Sequence, residues 1–332
     1  MMTAVDARIY DGKRVLITGG AGFIGSNLAK HLADLGAIVT VVDSLIPDYG
    51  GNLFNLSGYE NRIMLNIADV RDQYSMNYLV QEKDYLFNLA GQVSHTDSMQ
   101  NPYVDLEINV RAQVSILEAC RQNNPGIRIV FASTRQIYGK PAYLPVDEQH
   151  PLQPVDVNGI DKMAAEKYFL LYGNLYNIPV SVLRLTNVYG PCMRVKDARQ
   201  TFIGWWLRQS LQGQTIRIFG DGQQLRDLNF VDDVVDAMLL AASHPKAVGE
   251  VYNLGGAPIS LLDLAKELQA LNNNGAYELV PFPADRKAID IGSYYANYTK
   301  INEQLDWEPK ISIHEGLERS LSYYRTYLEK YL

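Results

Sequence analysis

Gly19, Gly22 and Gly25 fall in the run Gly19-Gly20-Ala21-Gly22-Phe23-Ile24-Gly25, a G-x-x-G-x-x-G spacing. Glycines at such intervals meet three needs: a tight turn, backbone close enough to touch a pyrophosphate, and a helix packed closely on a strand. The helix that follows offers unpaired N–H groups and a positive dipole end, both suited to phosphate. Phe23 and Ile24 supply the first backbone of that turn. Asp43 comes at the end of the next apolar run. A carboxylate there accepts from adenosine ribose hydroxyls and repels a 2′-phosphate, so the pattern points to NAD rather than NADP.

These residues need particular elements to position them. Residues 14–18 form a short apolar run, read as a buried parallel strand, and 23–35 carry helical periodicity ending near Gly36. A second apolar strand over 38–42 completes a βαβ unit. The alternation continues with strands near 62–66, 85–89, 128–132 and 180–185 and helices over 104–122 and 162–176. Alternating strands and helices predict an α/β fold, a doubly wound parallel Rossmann sheet with a smaller C-terminal α/β substrate lobe. The expected division is a cofactor domain over 1–186 with a return segment near 228–255. A second lobe would comprise 187–227 and 256–332.

Composition narrows the function classes. The chain has 332 residues, 47% hydrophobic and 20% charged, as in ordinary globular domains. Thirty basic against 37 acidic residues give a net charge of −7, which argues against nucleic-acid binding. Two cysteines, Cys120 and Cys192, make neither a disulfide framework nor a Cys-rich metal site, and no metal is expected. Residues 1–10 lack the apolar core of a signal peptide, and no run suits a membrane span, so a cytoplasmic setting is expected. Tyrosine is abundant, at 22.

Further motifs carry a resemblance. Thr18–Gly25 resembles the N-terminus of the extended short-chain dehydrogenase/reductases of the nucleotide-sugar epimerase/dehydratase family, UDP-glucose 4-epimerase-like. Asp69-Val70 resembles the family's adenine-contacting pair. Asn88-Leu89-Ala90-Gly91 resembles the segment after strand four, with Asn88 and Gly91 departing, and Asn109 resembles an Asn at a helix start. Ala132-Ser133-Thr134-Arg135-Gln136-Ile137-Tyr138-Gly139 resembles the strand end bearing the catalytic Ser or Thr. Leu183–Pro191, Phe219–Gly222, Arg226-Asp227 and Val231–Asp233 extend the similarity nearly end to end. It implies bound NAD, with Leu89, Ala90 and Gly91 beside it, a nucleoside-diphosphate-sugar substrate and a homodimer built on the two long helices.

The family's acid/base is Tyr in Tyr-x-x-x-Lys. Here Lys162 is present and Asn158 occupies the Tyr position. An amide has no accessible pKa and only hydrogen-bonds. Three readings stand: another acid/base acts, from Tyr138, Asp161, Lys162 or a water relayed through Thr134; the reaction differs; or the chain binds without turnover. After Thr134, family dehydratases carry Asp-Glu and decarboxylases a second-position Glu, whereas this chain has Arg135 and Gln136. A sugar epimerase is the reading adopted, with a ketoreductase or dehydrogenase, or a non-catalytic binder, as alternatives. Thr134 would bond the reacting oxygen, and Lys162 would hold the nicotinamide ribose.

For the substrate, the resemblance points to Ser133, Asn187, Arg226 and Arg286. Arg135 either meets an anionic sugar group or pairs with Asp147, Glu148 or Asp161. Arg194, Lys196 and Arg199 either line the cleft or are solvated loop charges. His95 falls after strand four near the cleft, where a backbone-bonded loop histidine is the preferred reading. Cys192 has no activating partner in view, and Trp205-Trp206 reads as packing.

Overall fold

The computed structural model describes residues 7–46, 49–272, 275–283, 287 and 290–332. Six strands alternate with helices: β1 (Arg14–Thr18), β2 (Ile38–Asp43), β3 (Ile63–Ile67), β4 (Tyr85–Asn88), β5 (Arg128–Thr134) and β6 (Val180–Leu185). They are followed by β7 (Asn187–Tyr189), β8 (Thr215–Phe219), β9 (Leu225–Phe230), β10 (Val251–Asn253), β11 (Pro258–Ser260) and β12 (Ala276–Val280). The main sheet has seven strands in the order β10-β6-β5-β4-β1-β2-β3, all parallel. Winding reverses between β1 and β4, which opens a crevice at the carboxyl ends of these strands.

The unbroken apolar runs of the strands follow from burial on both faces. Val15, Ile17, Phe87 and Val130 join one apolar cluster, while Leu16, Leu86, Ile129 and Phe131 join the other. Helix α1 (Phe23–Asp34) covers the first face. Helix α2 (Gln73–Leu79) packs on the second through Met76 and Leu79.

The expected helix over 104–122 is observed in pieces, α4 (Pro102–Leu106), a single π turn at Glu107–Arg111 and α5 (Ala112–Asn123), and is preceded by the short α3 (His95–Gln100). The π turn inserts one residue and carries Asn109 inward, where it is fully buried. Helix α6 (Val157–Tyr176) starts earlier than the expected 162–176, because Asp156 caps it by accepting from Gly159 N–H at 2.7 Å. Asn158 therefore lies in its first turn.

Beyond β6, Thr186 moves the chain into a second sheet of order β11-β9-β7, with its hydroxyl bonded to the buried Asp227 carboxylate. Strands β8 and β12 form a parallel pair. Helix α7 (Phe202–Leu211) buries Trp206, and Trp205 packs against the same core.

A buried charge pair ties α6 to the sheet. Arg184 on β6 reaches Glu166 with Nη2 at 2.5 Å and Nε at 3.1 Å, their side chains 5% and 0% exposed. Ser133 Oγ also donates to Glu166, at 2.6 Å. Removing one partner leaves a buried uncompensated charge. Glu166→Ala is therefore expected to destabilise the fold by about 3–5 kcal/mol, measured by denaturant unfolding against wild type.

Candidate active site

One long cleft follows the carboxyl ends of the strands. Its first part is lined by Gly19, Gly22, Phe23, Ile24, Gly25, Asp43, Asp69, Val70, Leu89, Ala90 and Gly91. The β1–α1 turn is tight: a Cβ on Gly25 would sit 2.4 Å from Gly19 O. Asp43 accepts from the backbone N–H groups of Ala21 (3.0 Å) and Leu45 (2.9 Å), which tethers β2 to the turn. Asp69 is gripped by Arg71, whose Nη2 lies 2.6 Å away and holds its carboxyl below the usual range. Asn88, the departure on β4, bridges Thr18 (2.7 Å) and Gln113 (2.6 Å), so it serves strand packing.

The far part of the cleft is lined by Ser133, Thr134, Arg135, Gln136, Asn158, Lys162, Asn187, Gln200 and Thr201, with His95 and Val93 opposite in sequence. Lys162 is buried and donates to Ala132 O at 3.0 Å. Burial lowers its pKa to about 8, against the opposing pull of Asp105. Two ammonium hydrogens remain for a ligand. Gly91 stands where it does because a Cβ there would lie 2.8 Å from Asn109 Oδ1 and 3.4 Å from Lys162 Nζ. Thr134 Oγ1 accepts from Gln136 N–H at 3.3 Å and keeps its own hydrogen to donate.

Asn158 is 2% exposed, and its amide nitrogen is committed. It donates to Gln92 O (2.8 Å), Gln92 Oε1 (3.3 Å) and Asp105 Oδ2 (3.1 Å). Asn109 donates to Asp105 Oδ1 and Gln92 O, both at 2.9 Å. Asp161 meets Asp105 on the same side; burial and that carboxylate raise its pKa to about 7. Asp161 Oδ2 is buried without a hydrogen-bond partner among the described residues. An amide–carboxyl network thus surrounds Asn158.

A family model described as NAD dependent epimerase/dehydratase family matches residues 15–255. This chain belongs to the NAD-dependent epimerase/dehydratase family. A putative UDP-glucose 4-epimerase of Methanocaldococcus jannaschii is 34% identical over 318 residues, covering 93% of this chain and 97% of that one. Among solved structures, an epimerase from Methanothermobacter thermautotrophicus superposes with a TM-score of 0.90 at 30% identity, covering 97% and 95% of the two chains. A Thermotoga maritima UDP-glucose 4-epimerase with UDP-glucose gives 0.86 at 31% identity, covering 95% and 99%.

The residues present fit the family cofactor. The glycine turn has no room for a Cβ, the α1 N-terminus opens on the cleft, and Asn109 Oδ1 and Lys162 keep unused polar capacity beside it. NAD, when bound in this family, supplies the hydride acceptor and, reduced, the hydride donor. Gly19, Gly22, Phe23, Ile24, Asp43, Leu89, Ala90 and Lys162 would hold it.

Several sequence-based assignments are corrected. Tyr138 is fully buried and does not line the cleft. Its hydroxyl donates to Asn253 Oδ1 at 2.7 Å and accepts from Arg184 Nη1 at 2.5 Å, while burial raises its pKa to about 12, so it is no acid/base. Ser133 spends its hydroxyl on Glu166. Arg199 is exposed beside Asp197, and Arg226 binds the carbonyls of Leu225 (2.8 Å) and Gly292 (2.5 Å); neither lines the cleft. Arg286 lies outside the described residues. Arg135 pairs with none of Asp147, Glu148 or Asp161. It rests 5.1 Å above the Tyr294 ring and reaches Asn187 Oδ1 at 3.5 Å. Cys192 is buried, with Lys30 Nζ at 3.4 Å.

Sequence reading missed Gln92, Asp105 and Asp156 as site residues, because each acts through a contact distant in the chain.

The carboxyl pair makes stability depend on pH. Folded Asp161 keeps its proton to about pH 7, whereas an unfolded Asp loses it near pH 4. Between these values the folded state binds more protons, so stability falls as pH rises through the window. Asp161→Asn, which removes the titrating carboxyl, is expected to flatten this fall. The gain at pH 7 should be on the order of 1–3 kcal/mol, read from thermal melts across pH 4–8.

Proposed function

We propose that this protein is an NAD-dependent epimerase of a nucleoside-diphosphate sugar, acting through a transient keto sugar with a non-standard acid/base. The observation that carries this reading is the continuity of the cleft from the glycine turn at Gly25 to Thr134, Arg135 and Lys162. Thr134 donates to the reacting sugar oxygen. Lys162 donates to the nicotinamide ribose and keeps the local field positive. Arg135 and Gln136 stand where dehydration or decarboxylation chemistry uses carboxylates. Arg135 has no ion pair among the described residues and shares its surroundings with Arg226, whose pKa falls to about 10 through burial and this like charge. Such a guanidinium suits a diphosphate or a sugar carboxylate. The similarity to UDP-glucose 4-epimerases favours a uridine diphosphate. Residues 1–186 with 228–255 form the cofactor lobe in this reading, and 187–227 with 256–332 the sugar-nucleotide lobe. Two unpaired buried cysteines accord with a cytoplasmic setting, and no described helix is long and apolar enough to cross a membrane.

A second reading, nucleotide-sugar binding without turnover, draws on the engaged Asn158 amide. A reductase of the same sugars is separated by cofactor exchange, since an epimerase recycles its NAD. Epimerisation predicts NAD retained through purification and scrambling of a hexose stereocentre when UDP-hexoses are followed by NMR. Binding with no scrambling would reject it. Lys162→Met removes a charge-assisted bond and is expected to weaken NAD by about 10–100-fold, measured by calorimetry.

The proposed homodimer rests on a separate face of α6. Ile160, Tyr168, Leu171 and Leu175 are 49%, 39%, 52% and 60% exposed and fall on one helical stripe. Met99, Tyr103 and Leu106 on the neighbouring helices are also exposed. An apolar patch of this kind marks an interface. Leu171→Glu with Leu175→Glu is expected to give a monomer in sedimentation velocity, with the fold retained.

A further inference from the structure

The residues that line the reacting end of the cleft include one histidine. Of the five histidines in the chain, His95 alone lines it. Its Nδ1 is paired with Asp156 and its Nε2 with the side-chain nitrogen of Gln136. The His95 side chain is 35% exposed and that of Asp156 is 3% exposed. Asp156 uses its two oxygens separately: Oδ1 accepts from Gly159 N–H at the start of α6, and Oδ2 faces the imidazole. The carboxylate is therefore fixed before any ligand arrives. It holds the Nδ1–H tautomer, in which the Nε2 lone pair accepts from the Gln136 amide and becomes available to a substrate hydroxyl when that amide turns aside.

Gln136 completes the arrangement. Its Nε2 donates to a neutral imidazole, and its Oε1 is buried without a partner among the described residues. Rotating the amide would present Oε1 to an Nε2–H, so Gln136 serves both protonation states of the ring. Of the other candidates, Lys162 lines the cleft but is assigned to the nicotinamide ribose in the epimerase reading. Asn158 and Thr134 cannot ionise usefully, Tyr138 lies in the core, and Asp161 does not line the cleft.

Resting on the epimerase reading, we infer that His95, held by Asp156, is the acid/base that replaces the missing tyrosine. NAD, when bound, would take the sugar C–H as hydride; with the Gln136 amide turned aside, the O–H proton would pass to His95 Nε2 as the carbonyl forms. When hydride returns to the opposite face, the imidazolium returns its proton to that oxygen. Charge and atoms balance over the cycle, and no other co-reactant is needed. Asp156 acts as a positioning residue.

Two measurements test this on the full protein. The first is diethyl pyrocarbonate acylation of His95, read by mass spectrometry, without and with NAD plus UDP-glucose, dTDP-glucose or a CDP-hexose. Protection by a nucleotide sugar that binds supports the placement, and full acylation beneath such a ligand overturns it. The second is kinetics of His95→Ala and His95→Gln. The expected loss is about 10²–10⁴-fold in kcat, with KM and sugar-nucleotide affinity within a few-fold and partial rescue of His95→Ala by added imidazole. Asp156→Asn, which retains a capping oxygen, should lower kcat at unchanged KM. Wild-type turnover with undiminished kcat in both His95 variants overturns this inference alone. Binding without turnover of any panel sugar by wild type overturns the epimerase reading, and the inference with it.

Discussion

Helix α6 has to satisfy two surfaces at once, and most of the structure answers to that constraint. Asn158, Lys162 and Glu166 recur at the i, i+4 interval and share the buried face. Ile160, Leu171 and Leu175 occupy the opposite, exposed face. The inward stripe carries polar and charged groups into the protein, where each needs a partner. Glu166 finds Arg184, Lys162 finds the Ala132 carbonyl, and Asn158 finds Gln92 and Asp105. Asp156 sets where this stripe begins, because its cap determines the first helical turn.

Asn158 sits at the centre of a polar network. The surrounding network is matched to an amide: two acceptors from Gln92 and one from Asp105 take its two N–H groups. Asn109, delivered by the π turn, braces the same carboxylate. Burial, together with the neighbouring Asp105 carboxylate, raises the pKa of Asp161 to about 7. Burial lowers the pKa of Lys162 to about 8, against the opposing pull of Asp105.

Electrostatics also divides the cleft. The dinucleotide end carries Asp43 and Asp69, each with its carboxylate already held by protein donors. The substrate end carries Arg135 over the Tyr294 ring, with no carboxylate paired to it among the described residues. A chain with a net charge of −7 thus keeps a cationic group where an anionic substrate would lie.

Local pattern was enough for much of this protein. Apolar runs over 14–18 and 180–185, the glycine spacing at 19–25 and the acid at Asp43 depend on neighbours along the chain, so the parallel sheet and the dinucleotide end were legible directly. Lys162 and Asn158 were singled out through a motif with fixed spacing, and both line the cleft. The sequence could not show which way side chains point after a turn. Tyr138 and Thr134 lie four positions apart, yet a short helical turn at Arg135–Tyr138 sends the tyrosine into the core and leaves the threonine on the cleft. Likewise His95 and Asp156 are 61 positions apart and meet only when α3 packs against α6. Periodicity and composition report on near neighbours; proton transfer depends on atoms a few ångströms apart, and only tertiary packing decides which those are.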